Sequence, residues 1–233
     1  MDNKSEMTEA ELKILKKKIV VRFSFIPLFL GLVVLLPAGT FKYWQAYAYF
    51  TAVIVPMTFV LFYFLKRDPK FLDRRTRNME KEKEQKFISF FSTAVFLTVF
   101  IVSGLDYRFS WSDVPIFIVI IADILVLTGY LLIFSVFRQN SYASRIIEVE
   151  ENQTVISTGL YGVIRHPMYF GVLVMFLPTP IALGSYWGLI PLAVLPVALV
   201  LRILNEEKVL TANLPGYKKY CRKTRFRLIP FIW

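Results

Sequence analysis

Residues 114–136 read VPIFIVIIADILVLTGYLLIFSV, an apolar run interrupted by one charge, Asp123. At about 1.5 Å per residue a helix of this length reaches roughly 34 Å, enough to cross a hydrocarbon core of about 30 Å. Lipid offers no water to the backbone, so such a run must close its hydrogen bonds internally, as a helix. Outward from this stretch, similar runs recur at roughly 19–41, 43–65, 87–104, 167–183 and 187–204. The expectation is an all-α polytopic membrane helical bundle of about six transmembrane segments.

Composition agrees. Of 233 residues, 56% are hydrophobic and 19% charged, against about 45–50% and 25% in soluble domains. These values exclude a disordered chain and an ordinary soluble enzyme. The net charge of +11 could signal nucleic acid, but a nucleic-acid binder does not carry repeated membrane-length apolar runs. Membrane topology and anionic lipid head groups account for the charge instead. The single cysteine, Cys221, rules out an intramolecular disulfide framework, and the single histidine, His166, argues against a His-based metal centre. No metal site is expected.

The basic residues sort by face. Of the 28 lysines and arginines, all but Lys42 and Arg108 fall before residue 23, within 66–86, within 137–166 or from Arg202 onward. The positive-inside rule then puts both termini and these loops in the cytosol, and an even number of spans agrees. The first apolar run is too long for a signal peptide and lacks a small-x-small cleavage site, so its retention is expected. Before it, Thr8-Glu9-Ala10-Glu11 has the pattern of a capping box opening a basic helix suited to the interface. The 66–86 loop mixes its cations with Glu80, Glu82 and Glu84, which reads as a solvated helix laced by ion pairs. Asn3-Lys4-Ser5 and Asn152-Gln153-Thr154 match the glycosylation pattern, which carries no meaning on a cytosolic face. The organisation expected is an N-terminal part, 1–136, with the amphipathic segment and four spans, and a C-terminal part, 137–233, with the remaining two.

Those last two runs hold Pro178, Pro180, Pro191 and Pro196 around an uncharged Gly184-Ser185, the pattern of a proline-kinked helical hairpin. Such a hairpin returns the chain to the face it left, bringing His166 beside Glu206. The two ends gather unusual polar chemistry: Thr158-Gly159-Leu160-Tyr161 and Arg165-His166-Pro167-Met168-Tyr169 at one, Arg202, Glu206, Glu207, Tyr217 and Tyr220 at the other. Each group alone has an ordinary use. Arg165 can snorkel, His166 can cap a helix, the glutamates can pair with Arg202 and Lys208, and the tyrosines can form an interfacial belt. Their convergence points to a site. Asp123, by contrast, is expected to hydrogen-bond a Ser or Thr of a neighbouring helix.

From Asn140 to Pro230 the order of motifs resembles the membrane methyltransferases that include isoprenylcysteine carboxyl methyltransferase and the phospholipid methyltransferases. The resemblance rests on Asn140-Ser141, Gly159-x-Tyr161, Arg165-His166-Pro167-x-Tyr169, Glu206-Glu207, Tyr217-x-x-Tyr220 and Arg227-Leu228-x-Pro230. It implies S-adenosylmethionine as methyl donor and a lipid or lipidated acceptor within the bilayer, a prenylcysteine-type carboxylate being most similar. It implies donor contacts from Gln153, Thr158, Gly159, Leu160, Tyr161, Arg165, His166, Tyr169, Glu206, Glu207, Tyr217 and Tyr220. Arg165 or Arg202 would hold the acceptor carboxylate. The residue types suit the donor: cations for its carboxylate, acids for its ribose or ammonium, and tyrosine faces for adenine or sulfonium. A phospholipid amine and a small thiol are alternative acceptors. Membrane sterol-type reductases that use NADPH share Arg-His-Pro-x-Tyr, but usually with Asn where this chain has Met168 and with Glu where it has Val172. A non-enzymatic lipid-binding or transport protein is the remaining alternative.

Overall fold

The computed structural model describes residues 7–76, 83–143, 149 and 153–233. It is helical throughout, without strands among those residues. Helix α1 runs Glu9–Ala38, α2 Trp44–Arg67, α3 Pro69–Thr76, α4 Lys83–Phe109 and α5 Ile116–Gln139. The C-terminal part is more broken: α6 Pro167–Phe176, α7 Thr179–Ala182, α8 Leu189–Leu192, α9 Leu195–Asn213 and α10 Tyr217–Lys223. Five helical stretches are long and apolar enough to cross a membrane, and Pro167–Ala182 is a shorter sixth.

The capping box at Thr8 is formed, with the Thr8 amide donating to Glu11 at 2.8 Å and the Glu11 amide donating back to Thr8 Oγ1 at 3.3 Å. The helix it opens does not stop at the membrane surface. The basic segment and the first span are one continuous helix that ends at Gly39, whose φ of +66° suits a residue without Cβ. Basic loop residues fall partly outside the described set. Arg74 pairs with Asp68 at 3.7 Å at the start of α3, whereas Glu80 and Glu82, the side chain of Glu84, Arg145 and the asparagines Asn3 and Asn152 lie outside the described residues.

Much of each long helix faces outward. Phe59, Phe90, Phe117, Ile120 and Val197 are all more than half exposed. In water such a surface would drive association; in a bilayer it is the lipid-facing side. The inward faces pack in clusters. Near the basic end, Leu15, Ile19, Phe64, Phe71, Ile133 and Phe137 join α1, α2, α3 and α5. Toward the other end, Val34, Ala38, Tyr43, Tyr49, Val126 and Leu183 form a second cluster. A third joins α4, α6 and α9 through Val99, Tyr169, Leu173 and Leu199.

The prolines divide the hairpin as its sequence suggests, but more finely than two kinked spans. Pro178 and Pro180 sit at the start of α7, and Pro196 in the first turn of α9, where a missing amide costs least. The turn is fastened to the far end of the bundle. Buried Asp106 accepts from Ser112 Oγ at 2.7 Å and Ser185 Oγ at 2.5 Å, while Tyr43 donates to the Leu183 carbonyl. At the other end α6 lies directly on α5. A Cβ on Gly129 would stand 2.4 Å from the Met175 backbone nitrogen, so the absence of a side chain there sets the distance between the two helices. Asp123 is not hydrogen-bonded as expected: its Oδ1 is buried without a partner among the described residues.

Candidate functional site

The hairpin returns the chain to the basic end, and there the two halves of the candidate site meet. His166 is the N-cap residue of α6, followed by Pro167 in the first turn. Its ring is not spent on capping. Nε2 lies 3.2 Å from Glu207 Oε1, and the same oxygen accepts from Arg165 Nε at 2.7 Å. Glu207 Oε2 accepts from Arg227 Nε at 2.9 Å. One carboxylate on α9 therefore ties together the entry to α6 and the C-terminal segment. Arg165 is bound further: Nη1 donates to the carbonyls of Thr224 at 3.1 Å and Arg225 at 3.2 Å. Backbone bonds from Arg165 to Phe226 and from His166 to Arg227, both 2.9 Å, lay the tail alongside.

Glu206, one residue earlier, faces another way. It accepts from the Tyr169 hydroxyl at 2.6 Å, and that hydroxyl accepts from Arg202 Nε at 2.9 Å. Arg202, Glu206 and Leu210 recur every four residues, so they share one stripe of α9. That stripe lines a cleft with Tyr169, Tyr161, Tyr217, Tyr220, Arg165, His166 and Gln153. The cleft is narrow at its core, about 100 Å³, and holds about 860 Å³ of empty space when counted out to its mouth.

The outer wall is set by the end of α5. Gln139 Oε1 accepts from the Leu160 amide at 3.0 Å, and Asn140 Nδ2 donates to the Tyr161 hydroxyl at 2.8 Å. Gly159 has φ +57°, and a Cβ on it would meet Gln139 Oε1 at 2.5 Å. The close approach at this glycine is thus made by Gln139. Tyr220 donates to the Tyr161 carbonyl at 2.8 Å. Burial raises the tyrosines: Tyr161 is pushed up to about 12, the bond from Asn140 opposing and the Glu206 charge adding to the effect. Burial likewise raises Tyr217 and Tyr220, so all three are neutral hydroxyls at ordinary pH. The Tyr217 hydroxyl is buried without a hydrogen-bond partner among the described residues.

The structure thus brings Gln153, Tyr161, Arg165, His166, Tyr169, Arg202, Glu206, Tyr217 and Tyr220 to one cleft. Thr158, Gly159, Leu160 and Glu207 do not line it; the first three form the turn behind Tyr161, and Glu207 holds the wall from outside. Sequence reading did not single out Asn140, Tyr142, Met168, Leu210 or Leu214 as cleft residues. Leu210 carried a signal in its spacing of four from Glu206, and Asn140 and Met168 lay within the motifs of the resemblance, whereas Tyr142 and Leu214 carried none. Arg227 was part of a quoted motif without a role, and its bond to Glu207 supplies one.

A polytopic helical membrane protein with a polar cleft at its basic end is the class that fold and site define. A model of the phospholipid methyltransferase family matches residues 117–216, and over these residues the chain is similar to that family of integral membrane methyltransferases. The match runs from α5 to the start of α10 and takes in every cleft residue named above except Tyr217 and Tyr220. No curated protein matches the chain.

Proposed function

We propose that this membrane methyltransferase takes its methyl group from S-adenosylmethionine held in the Tyr161–Arg165–Glu206 cleft and passes it to a lipophilic acceptor, on the cytosolic side of the membrane. The observation that carries the reading is the pairing, in one cleft, of Glu206, held through one oxygen by Tyr169, with a buried hydroxyl, that of Tyr217, that has no partner among the described residues. Glu206, fixed by Tyr169, suits ribose hydroxyls or an ammonium. Tyr217 is a donor whose hydrogen bond is unmade among the described residues, and unmade bonds of buried groups are costly unless a ligand completes them. Arg165 lines the cleft with Nε and Nη1 already committed, and its Nη2, without a partner among the described residues, suits the donor's carboxylate. The aromatic faces of Tyr161, Tyr217 and Tyr220 suit adenine or a sulfonium. The concentration of cations on this end supports the cytosolic assignment.

When bound, the cofactor supplies an electrophilic methyl group on sulfur, which leaves as a neutral thioether as an acceptor lone pair takes the methyl. The protein's share is alignment and exclusion of water. Arg202, fixed by Tyr169 and Ser89, is placed to hold an anionic acceptor, which favours a prenylcysteine-type carboxylate. The family description favours a second acceptor, a phospholipid amine. A labelled-methyl transfer assay with membrane extract, followed by identification of the product, distinguishes carboxylate, amine and thiol. Thermal shifts with S-adenosylhomocysteine and NADPH in detergent test the cofactor: stabilisation by NADPH alone would overturn the proposal.

A further inference from the structure

Helix α9 also lines a second groove. Arg202, Glu206 and Leu210 look into the cleft, but Leu201, Leu204, Asn205 and Lys208 look the other way, into a groove of about 1040 Å³ between α9 and the start of α4. The groove grades from apolar to basic. Phe87 on α4 and Leu201 on α9, 70% and 51% exposed, continue the lipid-facing surface. Lys208, Lys218 and Arg227 close the other end. Glu207 is the acid on this wall, and both its oxygens are already taken by Arg165, His166 and Arg227. Neither Lys208 nor Lys218 has an ion-pair partner among the described residues. Between the two regions sits Asn205, whose Nδ2 is buried without a partner among the described residues.

We propose that this groove is a binding site for a phospholipid with an anionic head group. Its acyl chains lie along Phe87, Ile88, Leu201 and Leu204, a phosphate or glycerol oxygen accepts from Asn205 Nδ2, and the head-group charge meets Lys208 and Lys218. The charge selects the occupant: a zwitterionic lipid brings no net negative charge to two free lysines, and a soluble anion leaves the apolar half unfilled. The site lies across α9 from the cleft and stands whether or not the methyl-transfer reading does.

The test is thermal unfolding of the full chain in phosphatidylcholine nanodiscs with increasing phosphatidylglycerol. Wild type should gain stability saturably. A juxtamembrane lysine contributes to anionic-lipid binding by about fivefold, so Lys208→Gln/Lys218→Gln should need about tenfold or more phosphatidylglycerol for the same shift. Both lysines are exposed, so the unfolding temperature without phosphatidylglycerol should stay put. Asn205→Leu should lose the saturable gain. Lys16→Gln/Lys17→Gln, equally exposed on α1, should leave the midpoint unchanged. The proposal fails if the α1 pair shifts the midpoint as far as the groove pair, if phosphatidylcholine or inorganic phosphate stabilises equally, or if the groove variants respond like wild type.

Discussion

Arg165 Nε and Glu207 Oε1 stand 2.7 Å apart although 42 residues separate them in sequence. The whole hairpin lies between the two, so the bond forms only when both crossings have returned to the same end. The side chains are little exposed, 7% and 12%, and Arg227 shares the carboxylate from the tail. Glu207 is thereby a structural tie, whereas its neighbour Glu206 turns toward the cleft. Two adjacent acids on one helix are 100° apart, and that rotation divides their work.

The division predicts different defects. Glu207→Gln removes the charge that balances buried Arg165 and half-buried Arg227 and should cost about 3 kcal/mol or more of stability, with ligand binding lost alongside. Glu206→Gln should leave thermal unfolding close to wild type and weaken S-adenosylhomocysteine binding by about tenfold or more, the worth of a hydrogen bond to a charged group. Calorimetry and unfolding on the same preparations check both. Equal loss of stability in the two variants would contradict the division.

Tyr217 makes the sharper case. Its hydroxyl has no hydrogen-bond partner among the described residues, so Tyr217→Phe should change the stability of the protein by less than about 1 kcal/mol, in either direction. If the hydroxyl completes its bond on the cofactor, the same change should weaken S-adenosylhomocysteine binding by about five- to tenfold. Unaltered affinity would remove Tyr217 from the site.

The sequence made the spans legible because bilayer thickness and the dispersion of lysine and arginine are written directly in composition. The meeting of His166 with the Glu pair was legible too, since two crossings must return the chain. What was hidden is direction. Whether Glu206 or Glu207 faces the cleft depends on the rotation of α9, which is set by Ile203 and Leu199 packing against Tyr169 and Leu173. No single-sequence pattern encodes that docking. Gly159 was misleading for the same reason: a glycine announces a close approach, but not that Gln139, twenty residues earlier, makes it. Asp106 passed unnoticed because a carboxylate near a span end has many ordinary uses, and its bonds to Ser112 and Ser185 exist only once the hairpin turn is docked.

The α5–α6 contact gives a test of the scaffold. A Cβ at Gly129 meets backbone of Met175 at 2.4–2.7 Å, which no side-chain rotation relieves. Gly129→Ala should destabilise by about 2 kcal/mol or more and displace α6, so S-adenosylhomocysteine binding should fall with it. Gly31→Ala on α1, where a Cβ meets nothing within 4 Å, should be neutral or stabilising, by up to about 1 kcal/mol. Thermal unfolding of the pair checks the contrast, and a Gly129 variant as stable as the Gly31 variant would show that the helices are not held at this distance.

Alkaline pH should unfasten the cleft from its tyrosines. Burial first, and the Glu206 charge after it, hold the Tyr161 hydroxyl at about 12 in the folded protein, against the opposing bond from Asn140; an unfolded tyrosine ionises near 10. Below pH 10 the group is neutral in both states and its contribution is fully present. Between about 10 and 12 the unfolded chain loses the proton while the folded chain keeps it, so stability falls with rising pH. Tyr217 and Tyr220, also raised by burial, act with the same sign. The unfolding temperature, followed from pH 8 to 11.5, should show this decline, and Tyr161→Phe should make it shallower, even though loss of the Asn140 bond lowers the starting value. A decline of equal steepness in the variant would mean that Tyr161 is open to solvent, and the wall it forms with Asn140 and Tyr220 would have to be redrawn.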